Sequence, residues 1–162
     1  MLFSNSKRSV RTKMSKDLRF HHVGMVVDSI DKHSALYADR FGYEIRSEII
    51  HDSKQRAYVQ FLAFPGESTY LELVAPDAPG SFLSNALQKG GGLNHLCYST
   101  EDIDAACRRL RSMAMLLIHP PTEAVAFDQR RIAWMKGKDN LLVELVERDK
   151  EPNRFSGRPR IA

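Results

Sequence analysis

Glu72 in the run YLELV and Glu144 in the run LLVELV are acidic residues inside strand-like segments that are apolar on both sides. Strand alternation puts Glu72 on a face with Tyr70 and Val74, while Leu71 and Leu73 cover the other. Glu144 shares its face with Leu142 and Val146, and Leu141, Val143 and Leu145 cover the opposite one. A strand covered on both faces buries its middle, and an isolated ionised carboxylate there is costly unless it is paired or holds a metal. His22, with Phe20, Gly24 and Val26, and His95, with Leu93 and Cys97, stand in equally apolar runs. Two imidazoles and two carboxylates form a mixed nitrogen and oxygen donor set suited to a divalent ion: Co, Ni, Zn, Mn or Mg. Four protein donors leave an octahedral ion two positions for water or a bidentate substrate. The candidate metal ligands are therefore His22, Glu72, His95 and Glu144. His21 is set aside, because alternation turns it to the opposite face. Gly24 reads as a bulge or a close packing point.

A lone strand histidine is usually an ordinary hydrogen-bonded residue, and a lone strand glutamate usually faces solvent. An internal repeat changes that reading. The segment from His21, HHVGMVVDSIDKHSALYADRFGYEI, matches NHLCYSTEDIDAACRRLRSMAMLLI from Asn94 without a gap. His22 maps to His95 and Ile30-Asp31 to Ile103-Asp104 at an offset of 73, and Leu71-Glu72-Leu73-Val74 maps to Val143-Glu144-Leu145-Val146 at 72. Each half supplies one histidine on its first strand and one glutamate on its last. A pseudo-twofold packing of the halves would bring all four together.

The elements that must position them follow from periodicity. Each half opens with a strand (20 to 27; 93 to 99) and continues with a helix whose stripe is Ile30, Ser34, Tyr37, Phe41 or Ile103, Cys107, Leu110, Ala114. Ser29 and Thr100 are the expected N-caps, Gly42 the C-cap, and Glu101 and Asp102 place negative charge at the second helix N-terminus. Strand-like runs follow at 44 to 51, 56 to 64 and 69 to 75, and again near 115 to 118, 131 to 135 and 140 to 147, the last two joined by Gly137-Lys138-Asp139-Asn140. Between the halves lie Pro76 to Gly80, a short helix from about Ser81 to Lys89, and Gly90-Gly91-Gly92, read as a flexible connection without the lysine and serine of a phosphate-binding loop. The stretch His119 to Arg130, with two prolines, reads as a lid or binding loop. The expected fold class is α+β: two tandem βαβββ modules forming a curved mixed sheet around a metal site.

Length and composition agree with one such unit. The chain has 162 residues, 43% hydrophobic and 27% charged, with a mean hydropathy of −0.38 and no apolar run long enough for a membrane span. Cys97 and Cys107 form no CxxC pattern and are too few for a disulfide-stapled scaffold, which points to a reducing compartment. The net charge of +4 sits in the tails. Residues 1 to 19 hold six basic residues against one acidic, and residues 150 to 162 four against one, so 20 to 149 is net −4. An acidic folded surface argues against nucleic-acid binding. The expected organisation is a disordered basic tail at 1–17, a domain at 18–149 (module one 18–76, linker helix 77–92, module two 93–149) and a second basic tail at 150–162. A cytoplasmic location is expected; the Ser- and Arg/Lys-rich N-terminus, which also suits an organellar address, has no secretory apolar segment.

Paired βαβββ modules carrying His22 in HHVGMVV, Glu72 in YLELVAP, His95 in GGGLNHLCYS and Glu144 in LLVELVE resemble the vicinal oxygen chelate superfamily, the glyoxalase/bleomycin-resistance/dioxygenase group, over about residues 18 to 148. Within it, ELVAPDAPGSFLSNALQKGGGLNHLCYSTEDID most resembles the methylmalonyl-CoA epimerases. The chain departs from them in having Gln55-Arg56 for their Gln-Gly pair, Ala124 to Asp128 for a glycine-rich loop, and Met135 to Lys138 for a His-Pro-Lys segment. The resemblance implies a divalent metal cofactor, a small-molecule carbonyl substrate such as an acyl-CoA, and a homodimer. It also implies proton abstraction next to a carbonyl through a metal-stabilised enolate, with Glu144 as the first catalytic base and Glu72 as the second. A glyoxalase I-like lyase is the alternative chemistry, and a bleomycin-resistance-like binding protein the alternative without chemistry. Extradiol dioxygenases fit less well, since their iron site uses two histidines and one carboxylate.

Overall fold

The computed structural model describes residues 17–148, and within that stretch nine strands form one mixed sheet. The first half runs β1 (Arg19–Val26), α1 (Ile30–Phe41), the short β2 (Glu44–Ile45) and β3 (Ile50–Asp52), β4 (Ala57–Ala63) and β5 (Tyr70–Pro76). A linking helix α2 (Phe82–Gln88) leads to β6 (Gly92–Thr100), α3 (Ile103–Ser112), β7 (Leu116–Glu123), a 3-10 turn (Val125–Phe127), β8 (Arg131–Lys136) and β9 (Leu142–Glu147). The strand order is β2-β4-β5-β1-β6-β9-β8-β7, with β3 paired to β4. β1 and β6 lie antiparallel at the centre, β5 runs parallel to β1, and β9 runs parallel to β6. The order therefore reads alike outward from the β1/β6 pair. The expected α+β architecture of two βαβββ modules is the one observed.

Both faces of the sheet are covered, as the flanking residues of the glutamates required. Tyr70, Val74 and Val146 join Val26, Val59, Phe61, Phe127 and Ile132 in the core of the inner face. On the outer face α1 covers Leu62, Leu71 and Leu73, while α3 covers Ala133, Met135, Val143 and Leu145. Helix α1 starts where Ser29 accepts the Lys32 N–H and stops at Gly42, whose φ of 77° only a glycine adopts without strain. Its stripe is shallower than the periodicity implies: Ile30 and Ser34 are buried, Tyr37 is half-buried and Phe41 is exposed.

Several local expectations are corrected. The N-cap of α3 is Asp102, which accepts the Ala105 N–H at 2.8 Å, and not Thr100; the Thr100 hydroxyl is taken by the Asp17 carboxylate. Asp17 also accepts the Glu101 N–H at 3.1 Å, so the described chain starts tied to β6; the rest of both basic tails lies outside the described residues. The run at 44 to 51 divides into β2 and β3. Gly90, Gly91 and Gly92 make an ordered turn with positive φ, pinned by the Gly91 N–H on Ala86 O at 2.9 Å.

The stretch His119 to Arg130 is not an open loop. Its first part extends β7 as the outermost strand, where Pro120 and Pro121 fall within the register shift between His119 and Thr122 and need donate nothing to the ladder. Its second part turns inward, burying Ala124, Ala126 and Phe127 in the inner core. Asp52 fixes this turn across the halves, accepting the N–H groups of Lys54, Gln55 and Ala126, each at 3.1 Å.

Candidate metal centre

The central strands bring the four predicted residues to one place. In register, His22 of β1 stands beside Cys97 of β6, which stands beside Glu144 of β9. One step away, His95 of β6 stands beside Gly24 of β1, which stands beside Glu72 of β5. Each imidazole thus has a small residue on the neighbouring strand and a glutamate one strand further on. Gly24 and Cys97 are themselves equivalent at the 73-residue offset. At Gly24 the space is fully used, since a methyl group there would overlap the His95 ring.

The donor atoms converge. His22 Nε2 lies 3.0 Å from His95 Nε2, 3.3 Å from Glu72 Oε2 and 3.1 Å from Glu144 Oε2. His95 Nε2 lies 3.2 Å from Glu72 Oε2 and 3.7 Å from Glu144 Oε2. All four residues are buried, none more than 4% exposed. Donors held about 2.1 Å from one first-row ion at 90° to 109° stand roughly 3 to 3.5 Å apart, so these separations suit a shared cation. A second observation agrees: Glu144 Oε2 is buried and accepts no hydrogen bond, although two imidazole nitrogens approach it. Such an oxygen is expensive without a cation to face.

The electrostatics show how strongly this pocket attracts positive charge. Burial alone would raise the proton affinity of Glu72, but the His22 and His95 imidazoles outweigh it and hold the carboxyl at about 2. Burial opposes a proton on His22, yet the neighbouring anions carry it well above the ordinary imidazole range. Cys97 stays a thiol, because burial pushes its pKa far up and Glu144 adds to the effect of burial. It is therefore a small neighbour to His22 more than a donor, even though its sulfur lies within reach of His21 and His22.

Two residues beside the quartet escaped the sequence reading. Alternation turned His21 away, but the register shift between Phe20 and His22 makes it a bulged residue, and it points inward. His21 Nδ1 lies 2.8 Å from His22 Nδ1. Burial, and then repulsion from His22, hold the proton affinity of His21 well below the usual value. Its counterpart Asn94 places Oδ1 3.0 Å from His95 Nδ1. The bulge also corrects two neighbours of the histidines: Phe20 leaves the His22 face to pack edge-on against Tyr98, and Leu93 is 67% exposed. Repeat matching at the 73-residue offset pairs His21 with Asn94, a signal that alternation overrode.

A cavity of about 40 Å³ adjoins the quartet, lined on its apolar side by Val59, Val74, Leu83, Phe127 and Ile132. Trp134 sits over it with its ring 4.9 Å from that of His95, donating Nε1–H to Gln55 Oε1 at 3.2 Å. Gln55 comes from the first half and Trp134 from the second, so the pair bridges the halves above the donors.

A model of the glyoxalase/bleomycin resistance protein/dioxygenase superfamily matches residues 21–134. The chain belongs to that superfamily. Among curated relatives, the ethylmalonyl-CoA/methylmalonyl-CoA epimerase of Cereibacter sphaeroides is 28% identical over 133 residues, covering 80% of this chain and 97% of the relative. The mitochondrial methylmalonyl-CoA epimerase of Mus musculus is 30% identical over 133 residues, 80% of this chain and 72% of its own length. The crystal structure of methylmalonyl-CoA epimerase from Mycobacterium tuberculosis superposes with a TM-score of 0.68 at 31% identity, covering 80% of this chain and 87% of that one. The chain is thus related to isomerases of the superfamily, with a buried cluster of histidine and glutamate donors at its centre.

Proposed function

We propose that His22, Glu72, His95 and Glu144 hold one divalent cation, and that the chain epimerises an α-substituted acyl thioester, methylmalonyl-CoA or a close analogue. The observation that carries this reading is the convergence of four donors from two halves on one point beside a cavity. Kinship with the epimerases supplies the substrate class. A divalent ion bound there contributes Lewis acidity at the thioester carbonyl oxygen, making the adjacent C–H easier to ionise.

The chain's own residues then divide the work. Glu144, which lines the cavity beside His22 and His95, is the base that removes the α-proton. Epimerisation also needs a proton delivered to the opposite face, and Glu72 is the second carboxylate of the site. Held ionised by the two imidazoles, it carries no proton at neutral pH, so it takes one from solvent before passing it to the opposite face. His22 and His95 remain nitrogen donors throughout. Val59, Phe127 and Ile132 keep water from the reacting carbon, which strengthens every charge interaction in the pocket. Trp134 and Gln55 limit the room above the donors to a short acyl group.

The test is wash-in of solvent deuterium at the α-carbon of methylmalonyl-CoA by the cobalt-loaded protein. Incorporation is expected, falling about 10²–10⁴-fold in Glu144→Ala, the usual worth of a positioned base. Unchanged exchange in that variant would remove Glu144 from the role. Turnover of a thiol–aldehyde adduct, with no exchange into the acyl-CoA, would move the assignment to a lyase.

A further inference from the structure

We infer that His21 and Asn94 are a matched pair of positioning residues: each holds the Nδ1 proton of the histidine that follows it and so turns that ring's bare Nε2 toward the shared donor centre. The inference rests on the reading that the quartet holds a divalent cation. Three observations carry it. The two residues are equivalent at the 73-residue offset that relates the halves. Each is the extra residue of a bulge in the β1/β6 pairing: the register passes from Phe20 to His22 on β1 while β6 advances by one, and from His95 to Leu93 on β6 while β1 advances by one. Each then reaches the Nδ1 of its own neighbour, His21 Nδ1 to His22 at 2.8 Å and Asn94 Oδ1 to His95 at 3.0 Å.

The chemistry of the partners sets the proton positions. An amide oxygen only accepts, so the His95 Nδ1 that meets Asn94 Oδ1 is the donor and its Nε2 is bare. Between His21 and His22 two Nδ1 atoms share a single proton. A nitrogen donor to a cation must be unprotonated, and His22 faces the other donors through Nε2. The shared proton therefore belongs to His22 Nδ1, with His21 Nδ1 accepting and its own proton on Nε2. The His21 ring is held for this by Tyr70 and Phe127, with centroids 5.4 and 5.8 Å away. The same task is thus done by an amide in one half and by a second imidazole in the other.

Titration of chelator-stripped protein with Co(II), read by its visible absorption and by competition with a chelator, tests the pair. His21→Phe keeps a ring against Tyr70 and Phe127 but removes the acceptor; His21→Asn removes the ring but copies the second half. An outer hydrogen bond of this kind is worth about 10–100-fold in metal affinity, so His21→Phe and Asn94→Leu are each expected to lose that much and to shift the Co(II) spectrum, while His21→Asn stays within about threefold of the parent. A residue that matters only for packing predicts the reverse order, with His21→Phe silent and His21→Asn weakened, and that result overturns the inference. Nitrogen-15 NMR of the Zn(II)-loaded parent protein tests it without any variant. His22 is expected as the Nδ1–H tautomer with a coupling to His21 Nδ1 across the hydrogen bond, and a proton on His22 Nε2 overturns it. Parent protein that binds no Co(II) overturns the site reading itself; tight binding by parent and His21→Phe alike overturns only the role of His21.

Discussion

Glu72 on β5 and Glu144 on β9 occupy equivalent strands, each one place out from the central pair, yet their carboxylates meet different surroundings. Glu72 Oε2 lies 3.3 and 3.2 Å from the two imidazoles, which keep it ionised down to about 2 against the effect of burial. Glu144 Oε2 is approached at 3.1 and 3.7 Å but accepts no hydrogen bond. Duplication fixed where the two carboxylates stand, and the residues around them decided which is held and which is left available. The same divergence recurs elsewhere. Gly24 corresponds to Cys97, His21 to Asn94, and buried Ser34, whose hydroxyl turns back onto Ile30 O at 2.8 Å, to buried Cys107.

The largest effect should separate the two carboxylates. Glu144→Ala is expected to lose α-proton exchange by about 10²–10⁴-fold even at saturating Co(II). Glu72→Ala should chiefly weaken Co(II) binding and regain much of its exchange when metal is added in excess. Equal losses that excess metal cannot relieve in either variant would erase the distinction. Next, Gly24→Val places a branched side chain inside the volume of the His95 ring, whereas Cys97→Ala only vacates space beside His22. Co(II) affinity should fall about 10–100-fold in the first and change little in the second.

A third comparison concerns what joins the halves. Asp52→Ala leaves three N–H groups of the first and second halves without their acceptor and should cost about 1–3 kcal/mol in urea unfolding. Trp134→Phe removes one half-exposed hydrogen bond to Gln55, worth about 0.5–1.5 kcal/mol, and should widen acyl-chain tolerance more than it lowers stability.

The smallest effect is a pH dependence. Because the folded state raises the proton affinity of His22, the metal-free protein gains stability from that proton below the ordinary imidazole value of 6.5 and loses it as pH rises through the raised value. Glu72 works in the other direction: its contribution is present above 4.5 and is lost as pH falls toward about 2. A cation takes over the role of the proton, so the rise in Tm on adding Co(II) should be greater at pH 8 than at pH 6. A rise that is equal or larger at pH 6 would mean that metal and proton do not compete at His22.

The quartet was legible because a carboxylate amid Leu and Val on both strand faces has few affordable fates, and because an offset of 73 duplicated the anomaly. The pairing of two βαβββ modules followed from the same repeat. What stayed hidden was set by contacts distant in sequence. A bulge adds one residue and reverses the side on which its neighbours project, so alternation misplaced His21, Phe20 and Leu93. Thr100 looked like a cap until Asp17, 83 residues away, claimed its hydroxyl. Pro120 and Pro121 suggested a loop because nothing local says that their strand lies at the edge of the sheet. Trp134 and Gln55 lie 79 residues apart, and only the packed halves bring them together over the cavity.

The most direct test of the central claim is the stoichiometry of Co(II) taken up by chelator-stripped protein, followed by visible absorption. One ion per chain is expected, with the absorption band lost in His22→Ala and in His95→Ala, one variant from each half. No saturable band in the parent protein, or a band that survives both substitutions, would contradict a shared cation between the halves.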